Sequence, residues 1–341
     1  MRKVALSNLD KLFALVAESA KLYIPVDGKG GASYKLWEQG VVMSNALNTV
    51  RSAKDFFFPQ TENLMEFKSE GKSIEIIDNR EEKEDFVVFG VRACDVKSFE
   101  ILDRVFLAEP IDTYYASRRE KGVIVSLACG RPNETCFCKT FGIDPANPAG
   151  DITAWKTETD LYLTANTEKG QKLLDKVSAI TEDCDEVAVN EQKKEIAQIL
   201  DKLPLKDLTT EKFGAGKTKE YFDSPAWDEL SSHCLGCGTC TFVCPTCQCY
   251  DIKDFKTNNG VQRFRCWDSC MYSDFTLMAH GNSRNSQKER FRQRFMHKLV
   301  YYPDNNDGMF SCVGCGRCLA KCPISMNIAK VMKTLGGKEN D

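Results

Sequence analysis

The sequence predicts an α+β protein in which a mixed α/β domain precedes a mostly helical domain. Two observations support this fold class. Through residues 1–201, short apolar runs typical of strands alternate with segments of helical periodicity. After a stretch rich in Lys, Thr and Gly, one cysteine motif occurs twice. We therefore divide the chain into a first domain at 1–201, a linker at 202–223, a second domain at 224–335 and a tail at 336–341.

The predicted elements of the first domain follow from the spacing of its apolar residues. Those from Leu9 to Ala20 recur at helical spacing, which predicts a helix from Leu9 to about Lys21. The aromatic run Asp55–Pro59 is interpreted as core. Further helices are expected over Val96–Phe106 and Gln192–Leu203. The predicted strands are Leu22–Val26 and three that are expected to be buried, Ser73–Asp78, Phe86–Val91 and Gly122–Ala128.

The duplicated motif is the most informative feature of the chain. Each copy has the spacing Cys-x2-Cys-x2-Cys-x3-Cys-Pro, the bacterial ferredoxin run that holds [4Fe–4S] clusters. In such runs the fourth cysteine ligates the other cluster, so we expect a ferredoxin-like domain with crossed ligand sets. A long insertion, Pro245–Ser311, separates the copies. Cluster 1 is assigned to Cys234, Cys237, Cys240 and Cys322, and cluster 2 to Cys312, Cys315, Cys318 and Cys244.

Zinc and disulfide bonds are the alternative uses of these cysteines. Zinc sites usually pair two Cys-x-x-Cys knuckles well apart in sequence, and a compact four-cysteine run fits them poorly. The N-terminus has no signal-peptide pattern, so 17 cysteines indicate a reducing cytoplasm in which thiols bind metals. A net charge of −3 gives no reason to expect nucleic-acid binding, and no apolar run is long enough to span a membrane.

No nucleotide-binding pattern is visible in the sequence. Residues 214–218 resemble the end of a phosphate-binding loop, but Glu211 stands where that motif requires glycine. No G-x-G-x-x-G sequence follows a predicted strand. We therefore expect no flavin or NAD on this chain.

The cysteines outside the duplicated motif are unevenly distributed. Isolated buried cysteines are ordinary core residues, but grouped ones favour a metal site. We therefore hypothesise a third iron–sulfur centre. Acidic neighbours raise the pKa of a thiol and argue against Cys184 as a ligand. The cysteines left over by two clusters are Cys94, Cys129, Cys136, Cys138, Cys184, Cys247, Cys249, Cys266 and Cys270.

Basic residues near the motifs have several interpretations. The stretch Arg284–Lys298 is compatible with a solvated helix face, with a docking surface, or with charge compensation for the clusters. Arg317 beside Cys318 and Lys321 beside Cys322 are candidate cluster-binding residues. Each would raise a cluster's reduction potential by stabilising its reduced, more negative state.

Several segments resemble one protein family. That family contains the iron–sulfur beta subunit of sulfhydrogenases, the corresponding iron–sulfur subunit of anaerobic sulfite reductase, and iron–sulfur subunits of flavin oxidoreductases that feed heterodisulfide reductase. The resemblance covers nearly the whole chain and is weakest at about 142–222. The matching segments are Gly90–Asp95, Ile101–Phe106, Tyr114–Glu120, Cys136–Cys138, Cys244–Tyr250, Trp267–Cys270 and Cys312–Cys318.

The resemblance implies a non-catalytic relay subunit of a cytoplasmic oxidoreductase complex in an anaerobe. It would carry electrons between a flavoprotein subunit that handles NAD(P)H and a catalytic partner of the hydrogenase or heterodisulfide reductase type. Cys184 and Cys266 fall outside the family pattern and are interpreted as structural thiols. The cysteines that match it are the implied pool for the third centre: Cys94, Cys129, Cys136, Cys138, Cys247, Cys249 and Cys270.

Three alternatives remain open from the sequence. The partner could be a sulfite reductase, although Phe56–Pro59 and Gly90–Val91 are slightly nearer the hydrogenase-type branch. A third cluster with an open coordination site would make the chain an enzyme, with turnover by the isolated subunit. Clusters that do not cycle reversibly would indicate a redox-sensing or assembly module.

Overall fold

A computed structural model describes residues 1–46, 48–78, 84–258 and 260–337. The strands are β1 (Arg2–Ala5), β2 (Lys21–Val26), β3 (Ser33–Leu36), β4 (Thr61–Glu70), β5 (Ser73–Asp78), β6 (Phe86–Val91), β7 (Gly122–Leu127), β8 (Ile152–Lys156), β9 (Asp160–Ala165), β10 (Glu182–Asp183), β11 (Tyr250–Thr257), β12 (Gly260–Trp267), β13 (Leu277–Met278) and β14 (Gly281–Asn282). The helices are α1 (Leu9–Ala17), α2 (Lys54–Phe57), α3 (Ala93–Phe106), α4 (Thr113–Lys121), α5 (Glu168–Lys176), α6 (Val187–Leu200), α7 (Thr218–Tyr221), α8 (Ala226–Ser231), α9 (Thr239–Phe242), α10 (Gln287–Met296), α11 (Tyr302–Asn305), α12 (Arg317–Lys321) and α13 (Ile328–Leu335). A π-helical turn occupies His297–Tyr301, and 3₁₀ turns occupy Leu6–Asn8, Cys138–Phe141, Ser178–Ile180 and Ser273–Thr276.

The larger sheet is mixed and eight-stranded, in the order β10-β1-β9-β8-β7-β6-β2-β3. Strands β2, β6, β7 and β8 run parallel to one another. Along β6, Val87 and Phe89 face α1 and α5, whereas Phe86 and Val88 face α2, α3 and α4. Strands that are apolar on both faces need helices on both sides, which gives three layers here. The predicted mixed α/β character is therefore confirmed.

A second sheet joins distant parts of the chain. Its order is β11-β12-β4-β5, so the hairpin from the insertion between the cysteine motifs pairs with a hairpin from the N-terminal region. In its register Arg263 lies opposite Met65. The prediction for Ser73–Asp78 is right about the strand and wrong about its burial. As β5 it forms the edge of this sheet and is largely exposed.

The remaining element predictions agree with the structure in type: Phe86–Val91 matches β6 at both ends, and the others differ at one or both ends. Helix α1 ends at Ala17 because β2 already begins at Lys21. Helix α3 begins earlier than predicted and includes Cys94. Helix α6 overlaps the predicted Gln192–Leu203 but begins at Val187 and ends at Leu200. The aromatic run is core as predicted, since Phe57 and Phe58 are fully buried.

A separate apolar core lies among α8, α10 and α13. It contains Trp227, Phe291 and Val331, together with Phe213 and Tyr221 from the segment expected to be a linker. The predicted domain limits stay a prediction, and residues 338–341 of the predicted tail lie outside the described residues. No helix in the described part of the chain is long and apolar enough to cross a membrane.

Candidate metal centres

The two copies of the cysteine motif fold alike. In the first copy Gly238 precedes α9, whose first turn contains Cys240, the third cysteine of the motif. In the second copy Gly316 precedes α12, whose first turn contains Cys318. The two helices pack against each other. A left-handed backbone suits glycine, which explains why glycines separate these cysteines. Those with φ between +56° and +75° are Gly236, Gly238, Gly314 and Gly316.

The fourth cysteine of the first copy lies with the second copy. The Cys244 sulfur interacts electrostatically with the sulfurs of Cys312, Cys315 and Cys318. These are the four thiols that the spacing assigns to cluster 2. Burial raises the pKa of Cys312 to about 12. A free thiol there stays protonated at neutral pH, and coordination to iron removes its proton.

The thiols assigned to cluster 1 are less uniformly buried. Cys234 and Cys240 interact with each other, and burial raises the pKa of Cys240 to about 11. Cys237 is exposed, and a hydrogen bond with Thr239 lowers its pKa. Cys322 is half-buried in the turn after α12. This side of the paired motifs is therefore the more accessible to solvent.

Three buried cations face the sulfurs. Lys54, Arg294 and Lys298 are 2%, 3% and 4% exposed. Burial opposes the charge of Lys298, but the sulfurs of Cys244 and Cys247 outweigh that effect and raise its pKa. Within the described residues, none of the three cations forms a salt bridge with a carboxylate. Buried charges need a counter-charge, and thiolate-bound clusters are anionic.

Four of the pooled cysteines gather at one edge of the large sheet. Cys94 follows the carboxyl end of β6, and Cys129 follows that of the neighbouring parallel strand β7. Cys136 and Cys138 lie in the loop after β7. Their exposures are 7%, 8%, 5% and 7%, in chain order. The carboxyl edge of parallel strands is the usual ligand-binding edge of an open sheet.

Packing and electrostatic interactions connect these four thiols. Cys129 packs against Cys136, and Cys138 interacts with Cys94 and with Cys136. Burial raises the pKa of Cys129 and of Cys138 to about 12. We call these residues, Cys94, Cys129, Cys136 and Cys138, the N-terminal thiol group.

The N-terminal thiol group abuts the second cysteine motif. The Phe137 amide donates to the Gly314 carbonyl oxygen over 2.8 Å. The Cys136 thiol lies 3.9 Å from the carbonyl oxygen of Cys315, and the sulfurs of Cys94 and Cys315 interact. The group therefore lies next to the thiols assigned to cluster 2.

The other three pooled cysteines lie elsewhere, beside the hairpin β11–β12. Cys247 interacts with Cys244, Cys249 with Cys270, and Cys247 with Cys270. The structure thus divides the pool of seven into the N-terminal thiol group and a second set. Of the two cysteines interpreted as structural, Cys266 lies on β12. Cys184 follows β10, and burial raises its pKa.

The donor set fits iron–sulfur clusters. Cysteine thiolates are the usual ligands of [4Fe–4S] cubanes. Among the described residues, no three His, Cys, Asp or Glu side chains converge as the ligands of one metal ion do. A cubane distributes its thiolates over four iron corners, so its ligands stand further apart than those of a single ion.

Comparison with known proteins identifies the family. The model of the 4Fe-4S dicluster domain family matches residues 233–326, which include both copies of the motif. Over 339 residues the chain is 32% identical to sulfhydrogenase 2 subunit beta of Pyrococcus furiosus, covering 97% of this chain and 98% of that protein. The chain belongs to the sulfhydrogenase beta-subunit family. No solved structure matches it. The predicted family and the iron–sulfur character are confirmed.

The basic residues predicted to tune the clusters have different surroundings in this member of the sulfhydrogenase beta-subunit family. Arg317 is buried and forms an ion pair with Asp95, which neutralises much of its charge. Lys321 is exposed and lies 3.5 Å from the Gly30 carbonyl oxygen. Both are therefore weaker sources of positive potential than an unpaired buried cation.

Sequence reasoning missed Lys54 and did not single out Arg294 and Lys298 within the basic stretch. The last two stand four residues apart, so one helix face carries both, and this spacing is a signal that the sequence offers. Lys54 lies beside the aromatic run, and no local pattern distinguishes it from a surface lysine. In this sulfhydrogenase beta-subunit homologue it reaches the thiols only through the tertiary fold.

Proposed function

We propose that the chain is an iron–sulfur electron-transfer subunit of a cytoplasmic oxidoreductase complex. It relays electrons between a flavoprotein subunit that binds NAD(P)H and a catalytic partner of the hydrogenase or heterodisulfide reductase type. The observation that carries this proposal is the position of Cys244 among the thiols of the second motif. Crossed sharing of cysteines between two motifs is the ligation pattern of two-cluster electron carriers.

The proposal assigns three centres. Cluster 1 is held by Cys234, Cys237, Cys240 and Cys322, and cluster 2 by Cys312, Cys315, Cys318 and Cys244. The third centre is held by the N-terminal thiol group. Two electrostatic interactions between sulfurs support a continuous route. The sulfurs of Cys94 and Cys315 link the third centre to cluster 2. Those of Cys318 and Cys240 link cluster 2 to cluster 1.

The chain's own residues hold and tune the centres in this proposal. Bound clusters supply one-electron redox chemistry. Oxidation of one NAD(P)H by the flavoprotein releases two electrons, which pass singly through the chain and reduce the catalytic partner by two. No covalent bond forms or breaks in this chain, so it needs no acid, base or nucleophile. Its buried lysines and arginine stabilise the more negative reduced state of a cluster.

Anaerobic purification of the native complex tests this proposal. We expect mass spectrometry to find a flavoprotein and a hydrogenase or heterodisulfide reductase subunit, and NAD(P)H to reduce the clusters of the complex. A sulfite reductase subunit in the complex would assign the chain to that branch instead. Turnover of a substrate by the isolated chain with an artificial electron donor would make it an enzyme. Clusters that fail to cycle reversibly would contradict a relay.

A further inference from the structure

Three thiols remain once the proposed centres are assigned. Cys247 and Cys249 directly follow the first motif, and Cys270 follows β12. The hairpin register places Tyr250 opposite Trp267, and the Asp268 amide donates to the Cys249 carbonyl oxygen over 2.9 Å. The base of the hairpin thus brings together cysteines that are far apart in sequence. We call Cys247, Cys249 and Cys270 the hairpin thiol group.

The hairpin thiol group has its own buried cation. The Lys54 ammonium donates to the Cys247 carbonyl oxygen over 2.9 Å and lies 3.6 Å from the centre of the Trp267 ring. It is only 2% exposed, and no carboxylate among the described residues pairs with it. Burial lowers the pKa of Lys54, and a neutral carbonyl and an aromatic ring compensate its charged form only in part.

A second cation reaches the same group from α10. Arg294 interacts with the sulfurs of Cys240, Cys318 and Cys247. Its Nε atom is buried and has no hydrogen-bond partner in the described structure. An unsatisfied guanidinium N–H in a buried site is costly, and an anion between the sulfurs would satisfy it. Cys240 and Cys318 are assigned to clusters 1 and 2, so Arg294 interacts with the thiols of those clusters as well as with the hairpin thiol group.

Simple core packing accounts poorly for this arrangement. Neutral thiols are adequate small core residues, but they provide no counter-charge for Lys54. Lys298 interacts most strongly with the sulfur of Cys244, a cluster 2 ligand, and next with that of Cys247. Among the sulfurs, that of Cys247 has the largest effect on Lys54, whose ammonium also donates to the Cys247 carbonyl oxygen. A negative charge at the hairpin thiol group would therefore compensate Lys54.

We propose that Cys247, Cys249 and Cys270 hold a further iron–sulfur centre, in addition to the three of the proposed relay. With three cysteine ligands, one iron of a cubane keeps a non-cysteine ligand and is open to an exogenous thiolate. Cys247, Cys249 and Cys270 are half-buried, and a cleft of about 640 Å³ is lined by Asp268 and Met271, which are close to Cys270 in the chain. The proposal extends the proposed electron-transfer function and rests on it.

The test compares two variants of the full chain, purified anaerobically in its native complex. Cys249→Ser/Cys270→Ser removes two proposed ligands. Cys266→Ser is the matched control, since it changes a half-buried thiol on the same hairpin. We expect the double variant to contain about four fewer iron atoms per chain than the control, the content of one cubane. The spin-coupled electron paramagnetic resonance signal of clusters 1 and 2 should persist in both.

Two results would overturn the proposal. Equal iron content in the double variant and the control would show that the hairpin thiols hold no metal. Loss of the coupled signal in the double variant alone would assign these thiols to cluster 1 or 2. Absence of that signal from the unaltered complex would instead contradict the relay, so the two proposals fail separately.

Two further measurements do not depend on removing the cysteines. Adding 2-mercaptoethanol to the unaltered complex should change the spectrum of one centre and leave the others as they were; no change would refute the open iron. Lys54→Met keeps all three thiols. It should shift the reduction midpoint of that same centre to a more negative potential, and an unshifted midpoint would refute the role of Lys54.

Discussion

Asp95 and Arg317 form a bidentate ion pair whose side chains are 1% and 4% exposed, between α3 and the first turn of α12. Arg317 also donates from Nε to the Thr49 carbonyl oxygen over 2.9 Å. Cys94, which precedes Asp95, belongs to the N-terminal thiol group. Cys318, which follows Arg317, is a proposed ligand of cluster 2. The pair therefore fixes the relative position of two proposed metal centres.

Removing one partner of this pair should destabilise the chain strongly. We expect Asp95→Asn to cost about 3–5 kcal/mol of unfolding free energy, because it leaves the guanidinium buried without a full counter-charge. Denaturant unfolding of the cluster-loaded chain measures this change. Arg104→Gln is the control, since the Arg104–Asp307 pair is exposed and should contribute little. Equal effects of the two substitutions would contradict the prediction.

The ammonium of Lys298 should raise the potential of cluster 2. It donates to the Thr246 hydroxyl over 2.7 Å and to the Ser311 carbonyl oxygen over 3.1 Å, deep in the site. We expect Lys298→Met to lower the reduction midpoint by roughly 100 mV, the effect of a unit charge about 7 Å away at an effective dielectric constant of about 20. Spectroelectrochemical titration measures it.

A lysine on α10, the helix that leads into the π-helical turn of Lys298, provides the control for that measurement. Lys288 lies at the surface and pairs with Asp228 over 2.7 Å. Lys288→Met should leave every midpoint unchanged, because solvent and the nearby carboxylate screen its charge. A shift of similar size in both variants would mean that total charge, and not the position of Lys298, sets the potential.

Crossed ligation predicts which cluster a cysteine in the second copy supports. Cys322→Ala should abolish cluster 1, although the residue belongs to the second motif, and should leave cluster 2, which is recognised by its response to Lys298→Met. Iron content should fall by about four atoms per chain. Cys184→Ala should retain all the iron. Loss of cluster 2 in the Cys322 variant would exclude the crossed assignment.

Gly314 should be required for the contact between the second motif and the N-terminal thiol group. A Cβ atom at Gly314 would lie 2.4 Å from the Phe137 carbonyl oxygen, so Gly314→Ala must displace the loop between Cys136 and Cys138. We expect it to lose the third centre, as measured by iron content and electron paramagnetic resonance.

Gly71→Ala separates this contact from simple backbone strain. Gly71 has φ of +61°, close to the +56° of Gly314, but a Cβ atom there meets nothing within 4 Å. Both substitutions carry about 1–2 kcal/mol of left-handed strain. Only the Gly314 variant should lose iron, and equal retention in both would show that the close approach is not needed.

The parts of this molecule that sequence reasoning predicted well depend on local spacing. Thiols three residues apart and separated by glycines define a cluster-binding loop without reference to the rest of the chain. Helix α3 was predicted because its apolar face repeats within one segment. Phe57 and Phe58 were assigned to the core because an aromatic run has few other roles.

The parts that it missed depend on contacts between distant segments. Nothing near Thr61–Glu70 shows that this strand pairs with Gly260–Trp267, and the burial predicted for Ser73–Asp78 was wrong because the edge position of a strand is set by its neighbours. The same holds for Lys54, whose burial against Trp267 arises only after the hairpins have met. Likewise, the division of the pooled cysteines into two groups requires the tertiary fold.

The sheet shared by the two hairpins also sets an order of events during synthesis. Glu62 and Arg265 form a buried ion pair in this sheet but are 203 residues apart in the chain. At roughly 5–20 residues per second, β4 and β5 leave the ribosome roughly 10–40 s before β12 exists. A lone two-stranded hairpin is at best marginally stable in water. The sheet beside the hairpin thiol group is thus completed late in translation. Iron can be delivered to Cys249 and Cys270 only after the N-terminal half has left the ribosome.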